Sequence, residues 1–321
     1  MAERQGHAME EADAKQPSKT FEDATPLLKN PTQLRAQAER DGYLFFKGLL
    51  PKDRLLEVRR RMLELLQQAG YLAADRPLME GAADVEAIHR LVKGEQLHKS
   101  GVGVPLELYE QVQRLEAFHA LAHEPRLREL FECLLQGEIF AHPRNIARLM
   151  LPHRELVATP SHQDFLHVQG AAPTWTCWIP LGDAPRELGS LTILEGSHRA
   201  GLLGVTEAVG AGGLESILCG LGYEWAAGDY ELGDFVAFHS LTVHKALPGR
   251  VKDRVRLSAD LRFQRMDEAI DAGSLLPHMG GDWPQIYAGW TRRELQYYWQ
   301  DRHPEIVPYD ETIRWQKEKI C

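Results

Sequence analysis

The sequence predicts an α+β chain in which helices come first and a run of mostly antiparallel strands follows, the strands closing on themselves as a sandwich or barrel. Three observations predict it. Residues 31 to 135 are dominated by apolar positions at three- and four-residue spacing. After Gly137 the texture changes to short runs rich in β-branched and aromatic residues, cut by Gly, Pro and Asp. Finally, no GxGxxG or GxxxxGK[ST] follows a strand, which leaves a Rossmann or P-loop nucleotide cradle without support.

Residues 1–30 carry six acids, four bases and few large apolar groups, a composition that repays ordering entropy poorly and reads as a flexible leader. They lack the apolar stretch of a signal peptide, and their acids argue against a mitochondrial transit peptide. Asn30-Pro31 then supplies a cap and a first helical residue, with Gly42 as the stop. YLFFKGLL (43 to 50) is a short apolar strand. Pro51 opens a second helix whose Leu55, Leu56, Val58, Met62, Leu63, Leu65 and Leu66 form a broad stripe ending at Gly70. The pattern from 84 to 135 stays helical, through Leu108, Val112, Leu115 and Phe118 and then Leu127, Leu130, Phe131 and Leu134.

The strand candidates are EIFAH, IARLML, WTCWIPL, SLTIL, DFVAFH, LTVHKA and VRLSADLRF. Between them, residues 201–222 hold seven glycines, too many residues for a tight turn and a length typical of lids and binding loops. The tail from 266 to 321 gathers Trp283, Trp290, Trp299, Trp315, Tyr287, Tyr297, Tyr298 and Tyr309, which must bury against something. Packing within the chain is the favoured reading. A wall for a substrate pocket and a surface for self-association are the alternatives.

Composition narrows the function. With 37 Lys+Arg against 46 Asp+Glu the net charge is -9, which argues against a general nucleic-acid binder. No stretch of 18 apolar residues exists to span a bilayer. The four cysteines show no CxxC or CxxH spacing, so zinc ribbons and thioredoxin-type sites drop out and a reducing, cytoplasmic setting is expected.

Most of the 14 histidines carry no chemical signal. His162-Gln163-Asp164 does, because in extended backbone His162 and Asp164 point to the same side and can clasp one cation. His244, in another strand-like segment, is the candidate third ligand. Two His and one carboxylate leave three positions open on a metal, which suits Fe(II) binding a cosubstrate and dioxygen; zinc at the same triad needs only one. His239 and His167 are out of phase with His244 and His162 on continuous strands and are expected to face away. In VRLSADLRF, Arg256, Ser258, Asp260 and Arg262 share one face, which is either a solvated polar face or a barrel interior. In the second case Arg256 would hold a dicarboxylate through its planar fork, with Ser258 beside it.

HQD (162 to 164), WIPL (178 to 181), LTILEGSH (191 to 198), LGDFVAFHSLTVH (232 to 244) and RVRLS (254 to 258), in that order and preceded by DGYLFFKGLL, resemble the phytanoyl-CoA dioxygenase family of Fe(II)/2-oxoglutarate oxygenases. The resemblance covers roughly residues 38 to 265, and HKxxP with RxSxDxR is similar to members that act on free small molecules. It implies a double-stranded β-helix, a jelly-roll or cupin-like barrel, with N-terminal helices packed on one sheet. It implies His162, Asp164 and His244 as iron ligands, Arg256 and Ser258 on the distal carboxylate of 2-oxoglutarate, and Thr176 as a weaker cosubstrate contact. Gln163 and Trp178 match positions that line the family's substrate pocket, and His198 belongs to a structural turn.

The implied reaction uses O2 and hydroxylates a small organic molecule with release of succinate and CO2, ascorbate being a supporting reductant. Many members carry Ser two residues after the distal His, where this chain has Ala246, which leaves the cosubstrate carboxylate to Arg256 and Ser258. A halogenating relative needs a small residue at Asp164, so hydroxylation is favoured. A cupin-like binding protein without turnover and a zinc hydrolase using the same triad stand as alternatives. The expected organisation is a leader (1–30), one oxygenase domain (31–265, with helices over 31–135 and the barrel over 137–265) and an aromatic extension (266–321).

Overall fold

The structure, a computed structural model, describes residues 17–218 and 220–315. The first element is already inside the expected leader. Strand β1 (Lys19–Thr20) pairs in parallel with a strand two hundred residues further on, and Phe21 and Ala24 are buried. The leader expectation is therefore corrected over residues 17–30, where Phe21 supplies the large apolar group that repays ordering; residues 1–16 lie outside the described residues.

Helix α1 (Pro31–Asp41) starts as its sequence dictates: the Asn30 side chain accepts from the Gln33 N–H, Pro31 occupies the first turn, and Gly42 ends it at φ 72°. A Cβ at Gly42 would lie 2.2 Å from His198 Nδ1, so only glycine fits this close approach. After β2 (Tyr43–Phe46), α2 (Lys52–Gln68) buries Leu55, Val58, Met62, Leu63 and Leu66 on one stripe. Helices α3 (Val85–Leu91), α4 (Gly94–Ser100), α5 (Leu106–Gln113), α6 (Glu116–Ala120) and α7 (Pro125–Leu135) complete the helical layer.

The strands follow: β3 (Ile139–Ala141), β4 (Ile146–Met150), β5 (Trp175–Pro180), β6 (Leu191–Leu194), β7 (Val205–Glu207), β8 (Leu214–Ser216), β9 (Trp225–Ala227), β10 (Phe235–His239), β11 (His244–Ala246) and β12 (Arg256–Arg265). They form two main sheets. The larger runs β2-β10-β5-β12 with β3 and β4 both along the outer side of β12, antiparallel throughout. The smaller runs β1-β9-β6-β11.

Period-two alternation assigns the two faces of the larger sheet. Leu44, Phe46, Cys177, Ile179, Phe235, Ala237, Leu257, Ala259, Leu261 and Phe263 point outward into one core with the helical stripes. Tyr43, Phe45, Trp178, Val236 and Phe238 point inward and pack against Leu191, Ile193 and Ala226 of the smaller sheet. The helices thus lie on the outer face of one sheet, and the site lies between the two sheets.

The loop at 201–222 contains the β7–β8 hairpin, so part of it is paired strand. Beyond residue 265 come β13 (Ile270–Asp271), α8 (Trp283–Ile286) and β14 (Ile306–Val307). Here Trp283, Tyr287, Trp290, Leu295 and Trp299 cluster with Phe140 from the strand region, and Trp290 Nε1 donates to Arg114 O. The aromatic tail buries within the chain, as expected for these residues; the Trp315 side chain lies outside the described residues. Among the described residues no helix is long and apolar enough to cross a membrane.

Candidate metal centre

His162 sits just outside the smaller sheet and exchanges two backbone hydrogen bonds with His244 at the start of β11, N–H to carbonyl at 3.0 Å in each direction. That pairing sets the two imidazoles side by side, ring centroids 4.2 Å apart and planes tilted by 52°. Gln163 is extended (φ −108°, ψ 133°), so Asp164 returns to the side of His162, as alternation requires. The three side chains are almost completely buried and their donor atoms lie within 4.8 Å of one another.

The hydrogen bonds aim those donors at one point. His162 Nδ1 bonds Pro160 O at 2.8 Å and His244 Nδ1 bonds Thr242 O at 3.1 Å, which puts each proton on Nδ1 and leaves each Nε2 lone pair free. Asp164 Oδ2 accepts from the Thr176 hydroxyl and from Arg262 Nη2 at 3.0 Å. Its Oδ1 stands 3.7 Å from both His162 Nε2 and His244 Nε2.

Charge states agree with that geometry. Burial alone would push the Asp164 carboxyl up, but Arg262 and the two imidazoles hold it well below the usual carboxylate range. Burial pushes His162 down, and burial together with the neighbouring His162 pushes His244 down to about 3. Both imidazoles are neutral and the carboxylate is ionised near pH 7, the protonation states in which they bind a metal. Two neutral nitrogens and one carboxylate oxygen with outer-shell support fit Fe(II), and leave the rest of a metal's coordination sphere open.

Arg256, Ser258, Asp260 and Arg262 of β12 all face the interior, which decides between the two readings of VRLSADLRF in favour of the buried one. Arg256 Nη1 donates to Ser258 Oγ at 2.8 Å, and the guanidinium carbon is 5.7 Å from the centre of the Trp178 ring. Burial and Arg148 lower the Arg256 pKa to about 10, so it stays cationic at neutral pH. Trp178, expected on the substrate pocket, instead meets Tyr230 edge-on at 4.8 Å inside the core between the sheets and is not on the wall of the cavity beside the triad.

Three further expectations change. Thr176 spends its hydroxyl proton on Asp164, so it supports a metal ligand. Gln163 is fully buried and does not border the cavity: its Nε2 donates to Gly201 O and Leu241 O, and its Oε1 accepts from Leu203 N–H, so it ties the 201–222 loop to the turn before β11. His167, expected to face away, borders the site with its ring 6.0 Å from that of His162. The 3-10 turn Asp164–Leu166 breaks the strand phase on which that expectation rested. His239 does lie apart, against Trp175 and His198, and His198 holds a turn by bonding Glu39 O.

A cavity of about 740 Å³ opens beside His162 and Asp164. Its walls combine β4 and β12 (Ile146, Arg148, Arg262), the hairpin tip at Gly210 to Gly213, and the C-terminal extension (Asp271, His278, Tyr309). Arg148 was legible in the alternation of IARLM, where it shares the inward face with Ile146 and Met150; Arg144 and His278 lie in loops and carry no periodic signal.

Comparison with known proteins agrees with this geometry. The family described as Phytanoyl-CoA dioxygenase (PhyH) matches residues 38–256. The 1-deoxypentalenic acid 11-beta-hydroxylase of Streptomyces arenae is 25% identical over 280 residues, covering 83% of this chain and 90% of the relative. The enzyme of the same name from Streptomyces exfoliatus is 23% identical over the same shares. Among solved structures, the epimerase SnoN in complex with Fe3+, alpha ketoglutarate and nogalamycin RO shares the fold, with TM-score 0.52 and 21% identity over 79% of this chain and 93% of that one.

Proposed function

Since the chain belongs to the phytanoyl-CoA dioxygenase family, we propose that it is a Fe(II)- and 2-oxoglutarate-dependent dioxygenase that hydroxylates a C–H bond of a small organic molecule, releasing succinate and CO2. The observation that carries the reading is the convergence of His162 Nε2, His244 Nε2 and Asp164 Oδ1, each with its other polar atom already bonded. The two sheets and their helical cover are read as a double-stranded β-helix in one domain over 31–265, with 266–321 packed on it.

When bound, iron and 2-oxoglutarate supply the oxidising power, one oxygen atom of O2 entering succinate and the other the substrate. The protein's residues do the rest. His162, His244 and Asp164 hold the metal on one side, and Thr176 and Arg262 fix which carboxylate oxygen faces it. Arg256 and Ser258 offer a buried cation and a hydroxyl to the distal carboxylate of the cosubstrate, whose burial unpaired would be costly. Trp178 packs beside that guanidinium, with Tyr230 edge-on against Trp178. The large cavity receives the substrate next to the open side of the triad. Ascorbate would serve only to keep the metal reduced. We place the protein in the cytoplasm, in keeping with the unpaired thiols of Cys133 and Cys177.

The test is succinate release under air with Fe(II), 2-oxoglutarate and ascorbate, together with a mass-spectrometric screen for metabolites that gain about 16 Da, one oxygen atom. Succinate that depends on O2 and is lost in Arg256→Ala supports the reading. Hydrolysis that proceeds without O2 and is indifferent to 2-oxoglutarate would instead assign a zinc hydrolase to the same triad.

A further inference from the structure

Three basic side chains border the large cavity with donors that the protein leaves without acceptors. Arg262 uses Nη2 on Asp164, while its Nε and Nη1 are buried and unpaired. Arg144 gives Nη1 to Gly273 O at 3.2 Å, and its buried Nε is unpaired. Among the described residues no carboxylate forms an ion pair with Arg144; Asp271, the acid that acts on it electrostatically, also accepts from the N–H and hydroxyl of Ser274. Arg148, by contrast, is already matched, to Asp260 at 3.0 Å and to Gly101 O.

The third donor is His278, whose tautomer the surrounding bonds fix. The Tyr109 hydroxyl oxygen accepts from Gln113 Nε2 at 2.8 Å and from the Ala147 N–H at 3.3 Å, which fills its two lone pairs. Its own proton therefore goes to His278 Nδ1, 2.7 Å away. The imidazole proton is left on Nε2, for which the described residues supply no acceptor. His278 lies where Arg144, Arg148 and Arg262 all bear on it electrostatically, and all of them border the same cavity.

Asp164, Asp271 and Glu311 also border the cavity, but the unpaired atoms of these three side chains are all donors and two of the side chains are cations, so together they are matched by a ligand group with only acceptors. We propose that Arg144, Arg262 and His278 form a subsite for a carboxylate of the organic substrate, making that substrate a small carboxylic acid. The proposal rests on the oxygenase reading for the reaction, but the subsite is a property of the folded chain. A cavity of this volume encloses a molecule of ordinary small-ligand size, so the acid and its reacting carbon fit together beside the triad. With the carboxylate on Arg144 and His278, the rest of the molecule extends toward His162 and Asp164.

The test measures binding to the full chain by calorimetry, without metal, of linear, aromatic and polycyclic monocarboxylic acids. Each acid is run beside its methyl ester and the matching amine, with inorganic phosphate as a separate probe. The expected result is that acids bind, that their esters and amines bind at least about tenfold more weakly, and that Arg144→Gln abolishes this preference while Arg144→Lys keeps part of it. His278→Phe, which removes the Nε2–H at similar ring size, should weaken the acids several-fold with the ester affinities unchanged. Thermal unfolding of each variant identifies any that fail to fold, and the His278→Phe comparison then decides.

The proposal is overturned if no acid is preferred to its ester, including the case where nothing binds. It is overturned if the preference survives both substitutions, or if phosphate binds as tightly as the acids. It is also overturned if the acids compete with 2-oxoglutarate and are lost in Arg256→Ala but not in Arg144→Gln, which would put them in the cosubstrate site. Failure of the oxygenase reading shows separately, as the absence of a visible band with Fe(II) and 2-oxoglutarate, which involves no binding to Arg144.

Discussion

Replacing Arg262 by Met isolates the electrostatics of the triad. Arg262 and Asp164 are 4% and 5% exposed and share a 3.0 Å ion pair, so the substitution leaves a buried carboxylate with the Thr176 hydroxyl as its main support. Breaking a buried pair from one side costs about 3 to 5 kcal/mol. Part is returned, because the arginine's two unpaired buried nitrogens leave with it, each a penalty of about 1 kcal/mol.

The net loss is about 1 to 3 kcal/mol, or about 2 to 4 °C in melting temperature for a chain of this size, measured in the presence of a chelator. The Asp164 pKa is depressed in the fold, so its contribution is fully present above the unfolded value near 4 and fades only as pH falls below that. The cost should therefore be constant between pH 6 and 8. The assay is urea unfolding of four proteins: wild type, Arg262→Met, Asp164→Asn and the double variant. Removing the stranded charge with Asp164→Asn should return most of the loss. If Arg262→Met costs under about 1 kcal/mol, or if the two substitutions simply add, the pairing of Arg262 with the triad is not the interaction described.

Other substitutions and conditions give further expectations. Thr176→Val should lower metal affinity by about 10- to 100-fold, read by competition with a fluorescent chelator, and destabilise the metal-free protein by about 1 to 3 kcal/mol. Gln163→Leu removes the partners of Gly201 O, Leu203 N–H and Leu241 O and should destabilise by about 1 to 3 kcal/mol; an unchanged urea midpoint would contradict its tethering role. Burial pushes His119 and His239 down to about 4 and His142 to about 3. Their unfolded forms take up protons first, near pH 6.5, so each subtracts up to about 1.4 kcal/mol per pH unit as pH falls from 6.5 toward 4. Urea midpoints at pH 7, 6 and 5 should fall steadily, and a flat series would contradict the burial assigned to these rings.

The elements were legible in the sequence wherever one physical rule dominated. Caps and stops at Asn30, Pro31 and Gly42 placed α1, and the period-two alternation of VRLSADLRF placed Arg256 and Ser258 on one face with Arg262. Alternation alone did not say whether that face met water or the interior, because this depends on the smaller sheet lying across from it. His162 and Asp164 were found by local spacing, and His244 came into reach through a single backbone bridge. Gln163 sat in the same motif and was misread for a related reason: the alternation that brings its neighbours together turns Gln163 to the opposite side, onto loop carbonyls. His167 was lost to a 3-10 turn that no apolar period announces. Arg144 and His278 stand in irregular segments, and only the tertiary approach of the C-terminal extension makes them neighbours. The strand β1 was hidden because two residues of pairing depend on a partner two hundred positions away.

The central claim is that His162, Asp164 and His244 hold one iron beside a 2-oxoglutarate anchored by Arg256. Anaerobic titration of the metal-free protein with Fe(II) and 2-oxoglutarate tests it most directly, because only a shared site gives a weak visible charge-transfer band that needs both components. The band should saturate with one iron per chain, disappear in His162→Ala and His244→Ala, and require far more 2-oxoglutarate in Arg256→Ala. Absence of the band in the wild-type protein, or an equal band in His162→Ala, would contradict the assignment of these three side chains.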